Sequence, residues 1–178
     1  FVKSNLTHAL NVLKDLVGKQ LLLMHADATS LPFSTSSGIF DGIWTAQTFQ
    51  HIPDFEMAVI EAHRLLKPKG CFINYSLHIT TFNKIIYKIF NKPFHIKGTV
   101  ENTFYLERAN NNQLSIIENI FMNEATSRYT EILFHPDLGL TFTGRINNIF
   151  GRLDSYLGGD SFISKFFGRQ ASFEVNKI

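Results

Sequence analysis

Apolar segments without alternation, separated by amphipathic helices, constrain this chain most. Leu21, Leu22, Leu23 and Met24 form an uninterrupted apolar run. Such a run suits a strand covered on both faces, the environment of a parallel sheet. Before it, Leu6, Ala9, Leu10, Leu13, Leu16 and Val17 recur at three- and four-residue steps and predict a helix. Ser4 is its expected N-cap and Gly18 its stop. Residues 39–44 read as a second strand. Asp54 then caps a second helix with Phe55, Ala58, Val59, Ala62, Leu65 and Leu66 along one stripe. Glu56 in its first turn and Arg64 and Lys67 in its last match the helix dipole, and Pro68 and Gly70 end it. Residues 71–75 read as a third strand. Helix, strand, strand, helix, strand, with crossover helices between apolar strands, predicts an α/β fold with a parallel sheet.

The second half is less regular. Phe82, Ile85, Ile86, Ile89 and Phe90 mark an amphipathic helix whose other face carries Lys84 and Lys88. Residues 91–109 have no period and read as loop. Leu114, Ile117 and Phe121 suggest a helix capped near Asn111 or Asn112. Residues 129–134 read as a strand stopped by Pro136. Phe142, Ile146, Ile149, Phe150, Leu153, Tyr156 and Leu157 predict a longer helix ended by Gly158 and Gly159. Phe162, Ile163, Phe166 and Phe167 fit a short helix, and Ala171, Phe173 and Val175 alternate as a half-buried strand. Apolar stripes of this kind are expected to be core more often than ligand pocket. No repeat or linker divides the chain, so 1–178 is read as one partial domain.

Composition narrows the class. The 178 residues suit one domain, and 44% apolar with 18% charged residues suits a packed core rather than a disordered chain. A net charge of +2 is too small for a dedicated nucleic-acid binder, and no nucleic-acid partner is expected. Cys71 is the only cysteine, which excludes an internal disulfide and favours a reducing, cytoplasmic setting. No apolar run approaches the ~18 residues of a membrane span, and no signal-peptide pattern is read at the amino terminus. The sequence opens on Phe1 with an element beginning almost at once, so it is read as a piece of a longer or processed protein.

Ligands of open parallel sheets bind beyond the carboxyl ends of the strands. The residues found there are Asp27 and Ala28, then Thr45, Ala46 and Gln47 with Gln50 and His51 beyond, then Ser76, Leu77 and His78. Asp27 either accepts hydrogen bonds from a bound base or ribose or closes an Asx-turn. His51, just ahead of a helix N-terminus, is disfavoured as a cation, and is either functional or a packing histidine. No metal is expected.

Four segments in order resemble the middle of a class I S-adenosylmethionine-dependent methyltransferase of the broad small-molecule, type-11-like kind. They are His25-Ala26-Asp27-Ala28-Thr29-Ser30-Leu31-Pro32-Phe33, Phe40-Asp41-Gly42-Ile43, Phe49-Gln50-His51-Ile52-Pro53-Asp54, and Glu61 through Gly70. The resemblance covers roughly residues 4–77. It implies S-adenosylmethionine as cofactor, with its adenine beside the Asp27 carboxylate and the Ala28 amide. It implies that Thr45, Ala46 and Gln47 lie near the methionine part, and that Gln50 and His51 face the transferred methyl group. Here glutamine stands first where a pair of histidines is common. The family's glycine-rich loop and ribose-holding acid belong to two strands expected before Ser4, between the strands at Leu21 and Ile39 in the sheet. The resemblance implies a Rossmann-like sheet with helices on both faces, N-terminally truncated without that pair, with a lid-like insert at 79–109 and a helical insertion at 135–168 before the last strand. The 178 residues alone are expected to fold poorly and bind cofactor weakly.

The reaction implied is methyl transfer to a small acceptor in the intact parent. In-line transfer from a sulfonium needs mainly alignment, to which proximity contributes roughly 7–11 kcal/mol. A general base adds about 10²–10⁴-fold where the acceptor is acidic. His51 is the first candidate base and His78 the second. The helix at 81–90, apolar on one side and cationic on the other, points to a hydrophobic or amphiphilic acceptor or a peripheral membrane contact. Two alternatives stay open: a non-catalytic remnant or scaffold of the fold, and another nucleotide-binding α/β enzyme. The second lacks a Tyr-x-x-x-Lys pair, since Ile79 follows Tyr75 and Asn91 follows Tyr87 at that spacing.

Overall fold

The computed structural model describes residues 3–34, 38–78, 80–91, 112–133 and 145–178. Helix α1 spans Lys3–Val12, strand β1 Phe40–Ala46, helix α2 Phe55–Leu65, and strand β2 Leu66–Leu77. Helix α3 spans Thr81–Ile89, helix α4 Asn112–Phe121, strand β3 Thr126–Thr130, helix α5 Arg145–Leu157, helix α6 Phe162–Phe167 and strand β4 Gln170–Asn176. The sheet order is β1-β2-β4-β3. β1 and β2 are parallel, while β4 runs antiparallel to both of its neighbours.

The core lies between this sheet and helices α2 and α4. Phe72 of β2 stacks on Phe121 of α4, with ring centroids 5.5 Å apart, and contacts Phe49 at 5.9 Å. Ala58, Val59, Ala62 and Leu65 of α2 are buried, as the stripe requires. Asp54 caps α2, its carboxylate accepting from Met57 N at 3.0 Å. At the other end Lys177 donates to the carbonyls of His63 and Leu66, placing a cation on the helix C-terminus. Ala171, Phe173 and Val175 of β4 are buried and Glu174 exposed, as the alternation predicts.

Four expectations are corrected. The run at 21–24 is no strand of the sheet; Leu21 makes one isolated bridge with Val17. Among the described residues no strand lies on that side of β1, so the run has no ladder to join, and Leu22 is 74% exposed. The regular part of α1 begins at Lys3, so Ser4 is inside the helix rather than its cap. That helix stops at Val12, although Leu13 N to Ala9 O and Val17 N to Leu13 O continue helical turns as far as Gly18, whose φ is +80°. β3 ends at Thr130 rather than near residue 134. Glu131 there takes φ +57°, and the Asp154 carboxylate accepts from Ile132 N at 2.6 Å and Leu133 N at 3.0 Å, drawing the chain away from the ladder. Finally, β2 starts directly at Leu66, with a register shift opposite Phe40 and Gly42, so Pro68 and Gly70 lie in the strand rather than ending α2. The close approach of the two chains there requires glycine at 38, where a Cβ would collide with the Leu66 carbonyl.

Most of the loop expected at 91–109, together with Phe94, Phe134, Pro136 and Phe142, lies outside the described residues. Among the described residues no helix is long and apolar enough to cross a membrane.

Candidate functional site

β1 and β2 run in the same direction, so Gln47 and His78 leave the sheet at the same edge. A cavity of about 600 Å³ opens there, lined by Asp27, Thr29, Gln47, Thr48, His51, Ile52, Pro53 and Asp54. A second of about 280 Å³, sharing Thr48, is lined mostly by apolar residues, Ala28 and Ala46 among them, and by Thr45. Of the site residues expected from the sequence, Asp27, Ala28, Thr45, Ala46, Gln47 and His51 line one or the other of these two cavities, whereas Gln50 and His78 line neither.

Asp27 is both an Asx-turn and an exposed carboxylate. Its Oδ1 accepts from Thr29 N at 2.9 Å and Thr29 Oγ1 at 2.8 Å. Those two bonds, the backbone one foremost, hold its carboxyl below the ordinary range, so it is an anion at neutral pH. They also fix the side chain, leaving Oδ2 as an acceptor without a hydrogen bond among the described residues.

The loop carrying Asp27 is pinned from below. Glu61 Oε1 accepts from Leu31 N at 2.9 Å, and both Glu61 oxygens accept from Arg64, at 2.7 Å each. Arg64 also donates to Phe33 O at 3.1 Å. The bidentate Arg64–Glu61 pair holds the Glu61 carboxyl below its usual range, with burial opposing. Sequence reading gave this pair no role; its only sign was a carboxylate on the buried stripe of α2.

Gln47 follows β1 with φ +50°, an uncommon conformation for a residue other than glycine, and its N–H donates to Tyr75 O at 2.6 Å. The side chain thereby turns off the sheet edge and into the cavity lining. Thr45 is committed to the sheet. Its hydroxyl donates to Asn74 Oδ1 at 2.7 Å, and Asn74 and Ser76 both donate to Gln113 Oε1. This buried polar network joins β1, β2 and α4, so what Thr45 offers a ligand is backbone.

Gln50 is buried, and its Oε1 accepts from Leu77 N at 2.6 Å. That bond fixes which way the amide points, so Gln50 Nε2 is the atom 3.3 Å from His51 Nε2. An amide N–H₂ only donates. The His51 Nε2 is therefore an acceptor and its proton sits on Nδ1. Burial lowers the His51 pKa below the ordinary imidazole value. The glutamine that departs from a paired-histidine pattern thus holds the turn to β2 and selects a neutral tautomer.

His78 lies elsewhere. Its Nε2 faces the Lys165 carbonyl at 3.1 Å, its ring packs against Tyr129 at 4.8 Å, and burial, foremost, lowers its pKa. It is a packing histidine between β2 and α6.

Residues 5–74 match a family model described as a methyltransferase domain. That span holds α1, the Asp27 loop, β1, α2 and most of β2. No curated protein matches the chain by sequence. Among solved structures it is similar to a SAM-dependent methyltransferase from Thermotoga maritima, with 16% identity, a TM-score of 0.56, and coverage of 96% of this chain and 70% of that one. It is similar to the [4+2]-cyclase SpnF, at 14% identity and TM-score 0.55, covering 97% of this chain and 62% of that one. A geranyl diphosphate methyltransferase, solved in complex with SAM, matches at 12% identity and TM-score 0.51, over 99% of this chain and 66% of that one. Residues 5–74 thus resemble a methyltransferase domain, and the chain shares the fold of these solved proteins and spans roughly two-thirds of all three.

Proposed function

We propose that the protein containing this sequence transfers a methyl group from S-adenosylmethionine to a small, hydrophobic acceptor. The observation that carries the reading is the placement of Asp27, Ala28, Thr45, Ala46, Gln47 and His51 on the walls of two cavities that share Thr48, within the span that matches a methyltransferase domain. The residues present suit the cofactor's adenine and methionine sides. Asp27 Oδ2 and the Ala28 backbone would hold the adenine edge, and Thr45, Ala46 and Gln47 would flank the methionine part. When bound, the cofactor supplies a methyl group on a good leaving sulfur. The protein's own residues orient and desolvate. Ile52 and Pro53 give the cavity an apolar wall, and His51, on the same lining, is the candidate base, its Nε2 taking a proton only as the contact with Gln50 is given up.

The apolar acceptor class is supported by the geranyl diphosphate methyltransferase of the same fold and by the exposed apolar surface of α3. In this reading 79–109 is a lid-like insert, 135–168 a helical insertion, and 81–90 a peripheral membrane contact of a cytoplasmic protein. A fold shared with a cyclase does not assign methyl transfer by itself, so a scaffold without cofactor is the competing reading. Incubating the intact protein with methyl-labelled S-adenosylmethionine and a panel of apolar and polar acceptors tests it. Label in an apolar product, reduced by His51→Ala, is expected; label in no product, with no cofactor bound, favours the scaffold.

A further inference from the structure

Helices α3 and α6 present apolar side chains that the rest of the described protein leaves open. Phe82 of α3 packs between Phe166 and Phe167 of α6, with ring centroids 5.9 and 4.4 Å away, and Asn83 Nδ2 donates to Gly168 O at 3.1 Å. These contacts fix the two helices as one surface. Around the Phe82 joint, Phe162 is 81% and Ile89 72% exposed, and Ile163 and Ile85 are more than half exposed. The stripe predicted to be core at 162–167 is therefore largely outside it.

The charge on this surface has one sign. α3 carries Lys84 and Lys88, α6 carries Lys165, and neither helix holds a carboxylate. Among the described residues none of the three forms a salt bridge. Among the described residues the acids close to α6 are Asp160, exposed just ahead of it, and Glu131, which is paired with Arg169 just after it. A two-fold contact with a second copy would set these lysines against their own counterparts. An anionic lipid surface instead takes the apolar side chains into its acyl boundary and the lysines at its headgroups.

We infer that α3 and α6 together form a docking surface for anionic membranes, with Phe162 and Ile89 inserting and Lys84, Lys88 and Lys165 meeting the headgroups. The surface deepens the proposed function by extending its 81–90 contact to a second helix. α3 begins at the sheet edge where the cavity opens, so docking brings that edge toward apolar acceptors held in the bilayer.

Co-sedimentation of the full chain with phosphatidylcholine vesicles, with and without phosphatidylserine, tests the inference. No cofactor or acceptor is added, so the result is independent of methyl transfer. Binding should require phosphatidylserine and weaken with salt. Lys84→Gln with Lys88→Gln should lower the partition coefficient about 25-fold, at about fivefold per surface lysine. Phe162→Ser with Ile89→Ser should abolish sedimentation while the melting curve is kept, because both residues are exposed. Equal binding to neutral vesicles, indifference to both pairs of substitutions, or a dimer dispersed by Phe162→Ser in place of vesicle binding overturns the inference.

Discussion

Gln50 shows how much one buried side chain can arrange. It satisfies the Leu77 N–H and sets the His51 tautomer at once. Gln50→Leu leaves a buried backbone donor unpaired, and should lower stability by about 1–3 kcal/mol in urea unfolding. Gln50→Glu keeps the acceptor for Leu77 and replaces the amide donor by an oxygen. The His51 imidazole should then titrate at higher pH, which an NMR titration of its ring protons would record. An unmoved His51 midpoint would contradict the tautomer assignment. Gln47 makes the complementary case, because its constraint lies in the backbone. Gln47→Val forces a β-branched residue into φ near +50° and should cost about 1–3 kcal/mol, whereas Gln47→Gly should be tolerated. Neither role was legible in the sequence. The amino acids were plain to read, but the positive φ and the bond to Leu77 arise only when β1 and β2 are side by side.

Elements were more legible where their stability is local. α2 announces its cap, stripe and charged ends locally, and the structure keeps the Asp54 cap, the stripe as far as Leu65, and Glu56 and Arg64 at the two ends, while Leu66 and Lys67 pass into β2. The alternation in β4 likewise reads directly as burial. The run at 21–24 failed because a strand is not a local object: it needs a neighbour for its backbone groups. β3 failed at its end because Asp154, more than twenty residues later, captures two N–H groups there. Asp154→Ala removes both charge-assisted bonds and should destabilise the protein by about 2–3 kcal/mol in urea unfolding, with the loss felt at the β3–β4 edge in hydrogen exchange. The Asp27 loop depends on α2 in the same way. Glu61→Ala releases Leu31 and Arg64 together, so cofactor affinity should fall although residue 61 lies outside the cavity lining. Unchanged affinity in Glu61→Ala would mean that the loop holds itself.

Across the whole molecule, burial decides how stability responds to pH. His51, His63 and His78 all have pKa values lowered by burial, so the folded protein resists protons that the unfolded chain takes up near the ordinary value of 6.5. Their contribution is complete above that value and is lost as pH falls toward the lowered folded values. Asp27 and Glu61, held low by hydrogen bonds, add a second loss further into acid. Burial raises Cys71 and Tyr75, so stability also declines once the unfolded chain ionises above their ordinary values of 9.0 and 10.0. The urea midpoint should therefore be lower at about pH 5.5 than at about pH 7.5, and a His78→Gln variant should show less of that difference. A midpoint unchanged between the two would contradict the burial of these imidazoles.

The central claim is that the cavity beside Asp27 holds S-adenosylmethionine, and calorimetric titration of that cofactor into the intact protein tests it most directly. Asp27 keeps one oxygen in its turn, and on the proposed function the other is the cofactor's acceptor. Asp27→Ala should then weaken binding roughly tenfold or more, the loss of a hydrogen bond to a charged acceptor. Its unfolding midpoint should change little, since the carboxylate is exposed. Binding by the parent protein with that loss in the variant is the predicted result. Equal affinity in both, or no heat of binding in the parent, would contradict the account.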